Sequence, residues 1–337
     1  MLGRQVFLQR LHAVLVTLLV LCCVFPVCSH AETSDRQGSS PSGWGSLPLV
    51  WQPLARRLAA DGLSGPRVDA LLATLPAVPS QSPMGRKMRE LYKSRFLAKA
   101  PDRKAAPRYY KNVVNTRSAR LCREFIAAHA PAFRQAQARY HVSAAVAAAL
   151  LYVETRLGKV LSDTSENALY TLASMAVSRR PEDISDWLDK MPGYENRQEW
   201  FDATMSKRAD WAYRESRALV QHLLQEGGDP RDLPGSIYGA VGLCQFMPSN
   251  ISVYGADGNN DGRIDLFQVD DAVASLANYL SRHGWKKGLT RQRQQKILMR
   301  YNNSRVYADT ILALADLVSA EDRPESLKRL KQSKERP

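Results

Sequence analysis

Cysteine is scarce in this chain: five residues among 337, with Cys22, Cys23 and Cys28 all inside the first 31. Only Cys122 and Cys244 remain beyond that segment, and the sequence leaves open whether they pair. No Cys or His lies at ligand spacing, so the thiols do not read as a metal site. After the first apolar run no second run of about 20 residues follows, so no membrane-spanning helix is expected in the mature chain. Internal repeats are absent, and runs of β-branched alternation are few. The expected class is therefore mainly α. Hydrophobic residues make up 45% and charged residues 24%, a globular balance with enough chain for a substantial core.

The apolar run itself has the layout of an export signal over residues 1–31. Arg4 and Arg10 form a basic start, "AVLVTLLVLCCVFPV" an apolar centre, and Ser29 and Ala31 the small residues a signal peptidase reads. Cys28 is preceded by Val27 rather than a small residue, which favours an exported periplasmic protein over an outer-membrane lipid anchor. Loss of Arg4 and Arg10 lowers the formal charge from +14 to +12. An exported basic protein rarely meets nucleic acid, so an anionic envelope polymer or membrane surface is the better partner.

Residues 32–48 are rich in Ser, Gly and Pro and read as a flexible leader. Two short helices joined at Gly62, Gly65 and Pro66, then "GRKMRELYKSRFL", form an N-terminal helical region. With a proline-broken connector it covers 49–117. From 118 the helical signal strengthens, and residues 118–320 are expected to form one core. "SARLCREFIAAHAPAFRQAQARY" reads as one helix, and Ser143 as the N-cap of the next. Residues 178–200 look irregular, with a strong helix from Ala209 to the stop at Gly227 and Gly228. The tail over 321–337 is highly charged.

Two stretches carry chemistry. In "LLYVETRLG", Leu150, Val153 and Leu157 mark an apolar helical stripe, and Glu154 sits on it. An unpaired buried carboxylate is costly. Two readings stay open on pattern alone: an ion pair with Arg156 or another arginine, or an acid held partly protonated by desolvation. Gly158 is expected to end that helix. In "DGNNDGRIDLFQVDD", Asp257, Asn259 and Asp261 occupy positions 1, 3 and 5 of a calcium loop, Gly262 the turn at position 6 and Ile264 position 8. Position 12 is Gln268 where a bidentate Glu belongs.

"YVETRLG", "NALYTLASMA", "GSIYGAVGLCQFMPS", "DGNNDGRIDLFQVDDAVASLANYL" and "RYNNS" stand in this order. Together they resemble the lytic murein transglycosylase family that includes membrane-bound lytic transglycosylase B, over about residues 48–320. The resemblance implies a lysozyme-like helical core with an additional N-terminal helical region and an EF-hand-like calcium loop. It also implies a peptidoglycan glycan strand as substrate. The MurNAc-β-1,4-GlcNAc bond would be cut without water, giving 1,6-anhydroMurNAc ends, with Glu154 as sole acid and then base. Ser236, Gln245, Tyr279, Tyr301, Asn302 and Tyr307 match its cleft residues, and Phe246 and Met247 read as core. Structural calcium would be held by Asp257, Asn259, Asp261, the Arg263 carbonyl and a displaced final ligand, Asp271. Cell-wall synthesis proteins are the implied protein partners, and no organic cofactor is expected. Thr155 follows the catalytic Glu where the family often has Ser, and Cys244 precedes Gln245 where a small residue is common. A water-using muramidase on the same scaffold and an inactive peptidoglycan- or calcium-binding scaffold are the competing readings.

Overall fold

Leu49 and Val50 lead, through one 3-10 turn, into a series of helices. The computed structural model describes residues 47–97, 107–161 and 166–320. The export signal, the leader up to residue 46 and the charged tail lie outside the described residues, as do parts of the connector. Helices α1 (Gln52–Ala60), α2 (Pro66–Leu72) and α3 (Ser82–Tyr92) are followed by α4 (Thr116–Ala128), α5 (Ala130–Tyr140) and α6 (Ala144–Thr155). Next come α7 (Ala168–Val177), the short α8 (Ser185–Leu188), α9 (Gln198–Glu226) and α10 (Pro248–Tyr254). Helices α11 (Val269–Arg282), α12 (Arg291–Tyr301) and α13 (Arg305–Ala320) finish the fold. No β-strand occurs among the described residues; three isolated bridges pin the turns around 234–246.

Helix α6 is the centre. Alanine and leucine give it high helix propensity, and every residue from Ala145 to Tyr152 is buried. A helix apolar all round must be enclosed, and α4, α5, α11 and α13 pack around it. Ser143 starts it as expected, its hydroxyl accepting the Val146 N–H at 3.3 Å. Its end differs from expectation. Arg156 and Leu157 already have φ of 52° and 61°, so the helix stops at Thr155 and Leu157 is not on the helical stripe. Gly158 only continues that left-handed run, with φ 83°.

Two further boundaries depart from the sequence pattern. The stretch over 118–140 is two helices, because Pro131 sits in the first turn of α5 and cannot continue α4 through His129. Helix α9 begins at Gln198, eleven residues before Ala209. Phe201, Met205, Ala209 and Ala212 form its buried stripe, which the intervening polar residues obscure in the sequence. The N-terminal helices are anchored by aromatics. Trp51 is fully buried and its indole N–H donates to the Pro76 carbonyl at 2.7 Å. Gly85 of α3 is required: a Cβ there would stand 2.2 Å from the Trp187 ring.

Candidate active site

Glu154 is the next-to-last residue of α6, where the helix leaves the core. The residue as a whole is half-buried, and the Tyr307 hydroxyl donates to Oε1. Burial pushes its pKa up to about 7, against a smaller lowering by the Tyr307 hydrogen bond. Neither cause is another carboxylate. The sequence pattern allows an ion pair, but among the described residues Glu154 has no basic partner. Arg156 is turned away by the left-handed backbone, and its guanidinium lies 4.7 Å from the Tyr152 ring centroid.

A run of tyrosines surrounds this carboxyl. Tyr301 and Tyr307 lie nearly parallel, 16° apart at 6.5 Å, and the Tyr279 ring meets Tyr301 edge-on at 4.9 Å. Tyr301 donates its hydroxyl to the Cys244 carbonyl, and Tyr279 donates to the Arg300 carbonyl at 2.8 Å. Burial holds the Tyr301 and Tyr307 pKa values well above the ordinary phenol, so both are hydrogen-bond donors rather than bases.

The turn over 235–246 supplies the other side. Ser236 Oγ accepts from the Ala240 N–H at 3.0 Å, and the Gln245 amide donates to the Gly242 carbonyl at 3.0 Å. Gln245 has φ 53°, a strained choice for a side chain of this type. Thr155 donates its hydroxyl to the Leu243 carbonyl at 2.9 Å, and the Leu243 N–H reaches the Leu266 carbonyl at 2.9 Å. Two hydrogen bonds therefore join the residue after Glu154 to the 257–271 loop. Gly242 sits between them with φ 72°, and a Cβ there would stand 2.3 Å from Leu266 Cβ. The structure thus gathers Glu154, Tyr301 and Tyr307, with Tyr279 beside them. Ser236 and Gln245 shape the facing turn, and Asn302 is exposed at the end of α12. The sequence gives no sign of the Thr155–Leu243 link, since its partners are 88 residues apart.

Phe246 is buried core, as its pattern suggests, while Met247 is half-buried beside it. Cys122 and Cys244 are both buried free thiols, each pushed up to about 12 mainly by burial.

In the 257–271 loop, Asp257 accepts from the Asp261 and Gly262 N–H groups at 3.2 and 2.8 Å. Asn259 Oδ1 accepts from the Asp261 N–H at 3.0 Å, and Asp261 accepts from the Arg263 N–H at 2.9 Å. Asp271 is wholly buried, and its two oxygens accept the N–H groups of Gly258 and Asp265, each at 2.7 Å. It ties both ends of the loop to the first turn of α11. Among the described residues no cluster of three or more acidic, His or Cys groups stands ready-made for a metal.

Comparison with known proteins places this geometry in a family. The Transglycosylase SLT domain matches residues 49–297. Membrane-bound lytic murein transglycosylase B of Escherichia coli is 42% identical over 82 residues. That match covers 24% of this chain and 23% of that protein, so the chain aligns with under a quarter of that relative's length. SltB3 from Pseudomonas aeruginosa, solved with NAG-anhNAM-pentapeptide, has a TM-score of 0.60 at 18% identity, covering 80% of this chain and 78% of that one. The Escherichia coli lytic transglycosylase Slt35 in complex with calcium has a TM-score of 0.58 at 20% identity, covering 82% and 95%. These structures share the fold. The chain belongs to the transglycosylase SLT domain family, the lytic murein transglycosylase family that includes membrane-bound lytic murein transglycosylase B.

Proposed function

We propose that this protein is a periplasmic lytic transglycosylase. It would cut the MurNAc-β-1,4-GlcNAc bond of peptidoglycan without water and leave 1,6-anhydroMurNAc ends. One observation carries this reading: a carboxyl at the end of α6 whose pKa burial raises to about 7, with the Tyr307 hydroxyl as its hydrogen-bond partner. Glycosidases that use water or a nucleophile need two carboxylates. One suffices when the nucleophile belongs to the substrate. Tyr307 occupies Oε1, so Oε2 carries the proton that reaches the glycosidic oxygen. The ionised Glu154 then takes the proton of the C6 hydroxyl as that oxygen attacks the anomeric carbon. The attack is intramolecular, so proximity lowers the barrier. SltB3 binding NAG-anhNAM-pentapeptide supports this substrate class. Residues 118–320 form the catalytic core in this scheme, and 49–117 an added helical region.

Glu154→Gln is expected to cut the release of soluble muropeptides from sacculi by about a thousandfold or more. A folded-state pKa raised to about 7 adds stability that is fully present below pH 4.5 and lost as pH rises through 7. The variant should therefore match or exceed the native protein in melting temperature above pH 7. Unchanged muropeptide release would sink the proposal, while a much lower melting temperature would mark misfolding instead.

We also propose that the 257–271 loop holds one structural calcium. The donor types suit the ion: Asp257, Asp261 and Asp271 carboxylates, the Asn259 amide oxygen and the Arg263 carbonyl are all hard oxygen ligands, and binding would draw the carboxylates from the backbone N–H groups they now accept. The Slt35 structure with calcium supports it. Bound there, the ion would supply charge neutralisation and a fixed loop, and no step of the reaction.

A further inference from the structure

Two long segments of the chain contain no acidic residue. Between Glu124 and Glu154, residues 125–153 carry Arg134 and Arg139 and no Asp or Glu. Between Asp271 and Asp309, residues 272–308 carry eight Lys and Arg and no Asp or Glu. The fold brings them together, because α5 of the first segment packs along α11 of the second. Where they meet, a concavity of about 730 Å³ opens at the end of α6 that is remote from Glu154. Ile126, Ala130, Phe133 and Ala138 give it an apolar wall. Arg134 and Lys287 give it a cationic rim, and no carboxylate lines it. Arg134, Lys286 and Lys287 are exposed, and among the described residues none of them has an ion-pair partner.

We infer that this face docks the protein on an anionic phospholipid bilayer. Charge alone would fit any polyanion. The apolar wall beside unpaired cations selects an amphipath, with phosphates on the rim and the first methylenes against Ile126, Ala130 and Ala138. No described helix is long and apolar enough to cross a membrane, so the attachment would be peripheral and salt-sensitive. Helix α6, 12 residues long, separates the concavity from Glu154 by roughly 15 Å along its axis. A bilayer held at one end leaves the site at the other free for murein. The inference does not rest on the chemistry assigned to Glu154.

The test is co-sedimentation of the signal-free chain with vesicles of phosphatidylcholine alone or with about one third phosphatidylglycerol, at low and high salt. Binding is expected only to the anionic vesicles, and should fall away at high salt. Arg134→Glu/Lys287→Glu should weaken it about tenfold or more, while Arg56→Glu/Lys207→Glu, the same charge change elsewhere, should weaken it distinctly less. Unchanged melting temperature and murein release would show that the first variant is folded. Equal loss in both double variants would mean a net-charge effect and overturn the inference. So would retention of vesicle binding by Arg134→Glu/Lys287→Glu, or a loss confined to binding of intact sacculi.

Discussion

Glu154 and Tyr307 are the smallest unit on which the proposed chemistry depends. The phenol hydroxyl donates to Oε1, an interaction stronger with the carboxylate than with the acid, so it draws the pKa down against burial. Tyr307→Phe removes that bond and should raise the Glu154 pKa further above 7. The general acid would then stay protonated to higher pH. The alkaline limb of kcat/KM should move upward while kcat falls about tenfold through lost positioning. A pH–rate profile with an unmoved alkaline limb would contradict the Glu154–Tyr307 assignment. The sequence exposes half of this unit. A carboxylate on the apolar stripe of "LLYVETRLG" is visible without coordinates, but its partner lies 153 residues further along. Helical spacing describes only neighbours, so an Arg156 ion pair and a lone acid look alike until the backbone turns at Arg156.

Elements hold that unit in place. The cap at Ser143 and the alanine-rich run make α6 legible, whereas the caps at Asn115 and Asn167, whose side chains accept N–H groups at the starts of α4 and α7, emerge only from the structure. The break at Pro131 is less legible, because apolar periodicity continues across it, and polar residues hide the first turns of α9. At the other end of α6, hydrogen bonds run from Thr155 through Leu243 to Leu266 in the 257–271 loop. That loop leads into α11, whose Tyr279 meets Tyr301. Calcium in the loop would therefore brace the site from two directions. Adding calcium to the chelator-treated protein should raise the melting temperature by several degrees. Asp271→Asn should lower the baseline and also remove the calcium-dependent increment. An increment that survives in Asp271→Asn, or none in the native protein, would count against the site.

At the scale of the whole molecule, 47 basic residues against 33 acidic ones are unevenly spread. The acid-free segments that converge on α5 and α11 hold ten cations, leaving the remainder of the chain far closer to neutral. Such a one-sided field orients a protein before any specific contact forms. It suits the proposed arrangement, in which one end attaches and the other cuts a polymer. The composition reveals the excess, but only packing places the segments side by side. The proposed reaction needs one carboxyl, serving as acid and then base, with the substrate's own C6 hydroxyl as nucleophile. Mass spectrometry of the saccharide ends released from purified sacculi tests it most directly. Ends lighter by one water than hydrolysed muramic acid are expected, absent with Glu154→Gln; free reducing muramic acid ends as the main product would rule the mechanism out.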